Sequence, residues 1–264
     1  MTAAGLALGR RSLAGMFFGA ALVPDTALLV PGAGGVADAG AVLRADALAA
    51  VGEVTQGGGR VVVVAPGRVD RRLGAFARAS LAAAGVPDEA LGWRTRAVRP
   101  AEESGPVAGV AASVALFLLA RHGAAAAEVV EVSAHDEGAG RAAALRELGA
   151  ALVAGRPVDL VVVGSPSGRH GPDAPLADDP RAPAYDDALL ADLADAGPQA
   201  RERLRALDPG LARALAVTGW APWQVLLGAV GDLDVAARLL GRHVLAGATH
   251  ATLTWRHATV DRAW

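Results

Sequence analysis

The sequence of 264 residues contains no cysteine, no lysine, no asparagine and no isoleucine. The missing thiols exclude disulfide frameworks, zinc–thiolate sites, iron–sulfur clusters and cysteine nucleophiles together. The missing lysine excludes a Schiff-base mechanism and a P-loop, and it makes all 25 basic residues arginine. Lysine, asparagine and isoleucine share codons beginning AA or AT, so their absence marks a GC-rich coding sequence. In such a chain each Ala, Gly and Arg carries less information than usual. A charge excess is lacking too: 25 basic against 27 acidic residues give a formal charge of −2, which leaves no electrostatic footprint for nucleic acid. Long hydrophobic runs are also missing. The longest, Val107 to Ala120, has 14 residues between Pro106 and Arg121, short of the roughly 20 that span a bilayer.

Hydrophobic residues nevertheless make up 53% of the chain, enough for the core of one large domain. Arg10-Arg11 followed by Leu13 to Val23 has the outline of a twin-arginine export signal, but the apolar run ends in Pro24-Asp25 without a small-x-small cleavage pattern. Residues 1–15 therefore read as a flexible arm leading into a single domain over 16–264. The expected location is cytoplasmic, with neither a membrane nor a nucleic-acid partner.

Beyond the arm, apolar or β-branched runs alternate with Ala/Leu/Arg-rich stretches. The pattern predicts strands at Phe17–Val23, Arg60–Ala65, Glu128–Val132, Asp159–Val163 and Ala248–Trp255. It predicts helices at Val36–Val51, Arg71–Ala84, Val107–Ala120, Gly138–Val153, Ala184–Asp195, Pro198–Leu207, Pro209–Val217 and Ala221–Val230. This is the alternation of an α/β domain with a mostly parallel central sheet and helices on both faces. The unbroken apolar strands require cover on both sides. The Gly-, Pro- and Asp-rich stretch from Gly164 to Pro183 is too long for an ordinary connection, and long ordered loops at strand ends are where function concentrates.

Several motifs can be weighed on their chemistry. Gly32-Ala33-Gly34-Gly35-Val36-Ala37 fits the dinucleotide pattern G-x-G-x-x-A, but Pro31 removes a backbone donor beside the loop, and Ala65-Pro66-Gly67-Arg68 supplies no ribose-binding acid. Gly164-Ser165-Pro166-Ser167-Gly168 is not a nucleophile elbow, because its central residue is proline. His170, close behind a buried strand, is a candidate general acid/base. His122 reads as a helix-end cap, and Ser133 as an N-cap before the acids Asp136 and Glu137 rather than as part of a metal site with His135. His243, His250 and His257 recur every seven residues; on one strand that spacing sends neighbours in the series to opposite faces.

A series of segments carries a resemblance over about residues 17 to 255. It comprises Val23-Pro24-Asp25-Thr26-Ala27-Leu28-Leu29-Val30-Pro31, Val61-Val62-Val63-Val64-Ala65-Pro66-Gly67 and Leu160-Val161-Val162-Val163-Gly164-Ser165 with His170. Asp179-Pro180-Arg181-Ala182-Pro183-Ala184-Tyr185-Asp186, Leu207-Asp208-Pro209-Gly210-Leu211-Ala212 and Gly219-Trp220-Ala221-Pro222-Trp223-Gln224-Val225-Leu226 follow. In this order they resemble the class III extradiol ring-cleavage dioxygenases, the fold of the protocatechuate-cleaving catalytic subunit, and especially its small actinobacterial relatives.

The resemblance implies a class III extradiol dioxygenase-like fold and, for an active member, a ferrous ion held by two histidines and a glutamate. It also implies a further histidine as acid/base. The first ligand position here holds Asp25, the second holds Gly67, and no glutamate occurs after Glu202. A carboxylate at Asp25 is the one residue left that can bind a metal there, and His170 occupies the position resembling the acid/base. The expectation is therefore a dioxygenase-like protein with a degenerate non-heme iron site, a small aromatic or other small-molecule ligand, and a homo-oligomeric state. Asp25, Gly67 and His170 are expected to line one cleft. Two alternatives are an active enzyme with ligands gathered from residues such as His135 and His250, and a noncatalytic protein. The latter would recognise a partner through the old cleft or through a dimer surface bearing Trp220 and Trp223.

Overall fold

In the computed structural model, the described residues are 17–33, 38–88, 105–134, 140–172, 174 and 176–258. The arm with Arg10-Arg11, residues 34–37 of the glycine-rich loop, and His135 lie outside them. Seven strands form one sheet: β1 (Phe17–Val23), β2 (Arg60–Gly67), β3 (Arg71–Gly74), β4 (Glu128–Ser133), β5 (Val158–Val163), β6 (Val235–Leu245) and β7 (Ala248–His257), in the order β3-β4-β2-β5-β1-β7-β6. The four central strands, β4, β2, β5 and β1, run parallel. β1, β2 and β5 carry unbroken apolar runs, as a sheet covered on both faces requires. The outer strands β3, β7 and β6 are antiparallel to their neighbours.

Alternate residues of these strands enter two separate cores. Val61, Val63, Val161 and Val163 face α1 (Ala41–Thr55) and α2 (Val110–Arg121). Val62, Val64, Leu160 and Val162 face α3 (Arg141–Val153), α4 (Ala182–Asp195), α5 (Pro198–Arg205), α6 (Pro209–Ala214) and α7 (Trp220–Val230). Two glycines bring α3 and α7 into backbone contact. A Cβ on Gly149 would stand 1.9 Å from the Val225 carbonyl oxygen, and one on Gly228 1.9 Å from that of Arg146. Trp220 and Trp223 are each 3% exposed and belong to this core. This corrects the expectation of a recognition surface there: α7 is apolar nearly all round, as a helix enclosed by neighbours must be.

The structure also corrects three local expectations. The helix expected at Arg71–Ala84 is replaced by strand β3 and, after a turn, a single 3-10 turn at Ala82–Ala84. Cross-strand ion pairs select the strand: Arg71 lies opposite Glu131, and Arg72 Nε donates to Glu128 at 2.6 Å. Helix α1, expected from Val36, is described from Ala41 with Gly40 as its N-cap. Ser133 ends β4 instead of capping α3, whose N-cap is Gly140. Its amide donates to Asp70 Oδ1 at 2.8 Å, and its carbonyl accepts from Arg141. His122 caps the C-terminus of α2 as expected.

Candidate functional site

Asp25 and His170 lie beyond the carboxyl ends of the parallel strands β1 and β5, and Gly67 is the last residue of β2. The chain leaves β1 for α1 on one face and leaves β4 and β5 for α3 and α4 on the other, while from β2 it turns directly into the edge strand β3. The neighbouring ends of β1 and β5 therefore part in opposite directions, and crevices of this kind are where open α/β sheets bind ligands.

Asp25, two residues beyond β1, meets Ser165, two residues beyond β5. The Ser165 hydroxyl donates to Asp25 Oδ1 at 2.6 Å. From β7, His250 Nδ1 stands 3.4 Å from the same hydroxyl. Ser165 and His250 are each 4% exposed. The Ser165 amide donates to the Thr218 hydroxyl at 2.8 Å, which ties the cluster to the segment before α7. The order is carboxylate, hydroxyl, imidazole. In a hydrolytic triad the imidazole lies in the middle and takes the hydroxyl proton; here that proton is committed to Asp25. Burial holds the His250 imidazole below its ordinary pKa, against the Asp25 carboxylate and the Leu245 carbonyl, which favour its protonation. The cluster joins the ends of β1, β5 and β7, and it encloses its hydroxyl instead of presenting it.

The sequence spacing misleads about the partner of His250. A two-residue turn at Ala246-Gly247 folds β6 back on β7, so His243 lies directly opposite His250 and the two share a face. His243 Nε2 contacts Asp46 on α1 at 2.9 Å. His257 is on the other face from His250, as expected within one strand.

His170 belongs to a different network. Its Nε2 lies 2.7 Å from Asp186 Oδ2 on α4 and 3.0 Å from the Thr249 hydroxyl. Asp186 is fully buried and also receives the Ser167 amide at 2.9 Å and the Ser167 hydroxyl at 2.7 Å. The His170 amide donates to the Gly247 carbonyl, and the Thr249 amide to that of Ser167. These bonds fasten the long loop after β5 to the β6–β7 hairpin and to α4. Because Thr249 and His250 are consecutive on a strand, the two histidines are held on opposite faces of the sheet.

Gly67 ends β2, and its surroundings explain why it is glycine. A Cβ there would stand 2.9 Å from the Glu131 Cβ and 3.1 Å from the Val69 carbonyl oxygen. The Glu131 carboxylate, 2% exposed, accepts from Arg71 Nε at 2.8 Å and from the Gly109 amide at the start of α2 at 2.6 Å. The space a longer side chain would enter from β2 is therefore closed by the buried Glu131 carboxylate and the backbone.

On the other side of Gly67 is a cavity of about 200 Å³, lined by Pro66, Gly67, Ala134, Pro209, Ala212, Arg213, Ala216, Val217, Thr218 and Trp220. Its walls are the ends of β2 and β4, helix α6 and the start of α7. The lining is apolar apart from Arg213 and Thr218. The Trp220 indole is fixed by its N–H, which donates to the Leu207 carbonyl at 3.2 Å. Asp25 and His170 are not among the lining residues, so of the three positions expected in one cleft only Gly67 borders this one.

No family model matches the chain, and no curated protein matches it. Among solved structures it is similar to the crystal structure of uncharacterized protein JW3007 from Escherichia coli K12, with a TM-score of 0.50 and 14% sequence identity over 90% of this chain and 99% of that one. The likeness is one of fold.

The residues present do not fit a ferrous centre. Asp25 offers one carboxylate, already engaged by Ser165, and position 67 has neither a side chain nor room for one. Among the described residues no three His, Asp or Glu side chains are grouped so as to hold a metal ion. The two-histidine, one-carboxylate arrangement of non-heme iron enzymes needs three such donors on one face of the ion.

Proposed function

We propose that the chain is a class III extradiol dioxygenase-like protein whose non-heme iron site is degenerate, and that it binds a small molecule in the cavity at the ends of β2 and β4. The observation that carries this reading is the pairing of an apolar cavity at the ends of β2 and β4 with a neighbouring ligand position, Gly67, closed by Glu131. An apolar recess with few polar groups is the usual form of a small-molecule site, and 200 Å³ suits a ligand smaller than a drug molecule. His170 acts in this reading as a positioning residue for the loop over the strand ends, since its ring nitrogen is spent on Asp186 and Thr249. The test is turnover: with ferrous iron supplied anaerobically and oxygen then admitted, the protein is expected to leave protocatechuate and simple catechols uncleaved. Steady formation of the yellow ring-cleavage product overturns the proposal.

A further inference from the structure

At the amino ends of the parallel strands, away from the cavity, the sheet holds a carboxyl group without a hydrogen-bond partner. Asp159 is the second residue of β5, and the alternation of the strand turns its side chain, like those of Val161 and Val163, toward α1 and α2. It is 4% exposed, and among the described residues no hydrogen bond reaches its carboxyl group. The charged groups on the elements around it are engaged elsewhere. On α1, Glu53 accepts from the Thr254 hydroxyl and pairs with Arg238. On β2, Arg60 donates to Glu128 and to the Leu152 carbonyl. At the end of α2, Arg121 is exposed and the His122 ring lies over Gly52 of α1. The strand β1 brings no charge. Arg256 on β7 alone attracts the carboxyl group, and its guanidinium donates to the Glu53 carbonyl at 3.4 Å instead of to Asp159. Ionising Asp159 in place therefore strips water from a charge and puts nothing in its stead. Burial accordingly pushes this carboxyl from 3.8 up to about 6.

What separates Asp159 from solvent on one side is bare backbone. The turn from α1 into β2 is Gln56-Gly57-Gly58-Gly59, exposed throughout, and a Cβ on Gly59 would stand 3.0 Å from Asp159 Oδ2. Gly58 has φ +63°, a conformation that glycine adopts without strain, and its amide donates to the Thr55 carbonyl at 3.2 Å. Three glycines carry no side chain to anchor the turn in the core, so lifting it uncovers no apolar side chain of its own, as in the low-stability segments that open locally in native proteins. We propose that the turn at Gly57-Gly58-Gly59 is a pH-operated opening at the amino edge of the sheet: it lifts to let water reach the Asp159 carboxylate as that group ionises, and it closes over the group when the proton returns. The closed turn favours the protonated acid and the open turn the ionised one. The opening equilibrium therefore rises with pH between 3.8 and about 6, by at most about ten-fold per pH unit, and levels off above that interval. The device is independent of the cavity and of metal binding, both of which concern the carboxyl ends of the strands.

The experiment is amide hydrogen exchange of the full chain between pH 4 and pH 7, read by mass spectrometry on the peptide of residues 55–62 and corrected for the intrinsic pH dependence of exchange. The peptide covering α3 serves as the internal reference. In wild-type protein the corner is expected to lose protection about ten-fold or more relative to α3 as pH rises from 4 to 6, and to change little above. Asp159→Asn, which carries no charge at any pH, should show no such loss. Arg256→Gln removes the one attracting charge and should move the loss to higher pH. Gly59→Ala sets a methyl group against the carboxylate and should move it the same way. The wild-type profile needs no variant. Corner protection that does not vary with pH in wild type, or a loss that persists unchanged in Asp159→Asn, overturns the proposal. A loss whose pH range neither Arg256→Gln nor Gly59→Ala shifts means that another group titrates there, and overturns it as well.

Discussion

Three polar residues, two of them buried, show how much is decided by single side chains. His170 is 12% exposed at its side chain, and its removal leaves the fully buried Asp186 carboxylate short of a donor. A buried hydrogen-bonding group left unpaired costs about 1–3 kcal/mol. His170→Ala is therefore predicted to lower the melting temperature clearly in a thermal scan; an unchanged midpoint would mean that the loop is not held through this residue. Asp159, on β5, has its carboxyl pushed from 3.8 up to about 6 by burial, against the pull of Arg256. An acid that keeps its proton longer in the native state stabilises the fold less as pH rises through the interval between its two pKa values, here about 4 to 6. Asp159→Asn should therefore be more stable than wild type at neutral pH and about equal to it near pH 4. The buried His250 runs the opposite way. Its native state resists protonation, so its contribution is lost as pH falls below the ordinary histidine value of 6.5. In Asp159→Asn the His250 slope stands alone, and stability should fall more steeply on acidification than in wild type. Parallel pH profiles for the two proteins would contradict this.

At the scale of elements, β1, β2 and β5 were legible because their physics is local: four or more consecutive apolar residues need cover on both faces wherever they lie. Arg71-Arg72 reads as helix in isolation and becomes a strand only because Glu128 and Glu131 stand across from it. The edge strand β6, with Arg238, Arg242 and His243 set among apolar residues, lacks clean alternation, and the sequence gives no sign of the hairpin that pairs it with β7. The same long-range effect governs the junction of β2 and β4. Gly67 reads as a vacant ligand position in the sequence, whereas in the fold Glu131 closes it. Gly67→His is accordingly predicted to destabilise the protein by displacing Glu131 from Arg71 and the Gly109 amide, and to gain no metal. A Gly67→His variant that folds as stably as wild type would show that the junction can open.

For the molecule as a whole, the sequence located the edge at which the candidate site lies but not the contacts within it. Asp25 and His170 both lie beyond strand ends, as expected. The joining of Asp25 to Ser165, 140 positions away, and of Ser165 to His250, 85 positions away, depends on strand order that no local pattern encodes. The cavity was not legible for a different reason: half of its lining residues are alanine and proline, whose small side chains carry no chemical signal. The account's central claim is the proposal that the strand ends of this α/β sheet hold no iron. Anaerobic titration of the purified full chain with ferrous iron, followed calorimetrically, tests it most directly. The account predicts no saturable site tighter than micromolar and no difference between wild type and Asp25→Ala. Stoichiometric, submicromolar binding that is lost in Asp25→Ala would contradict it.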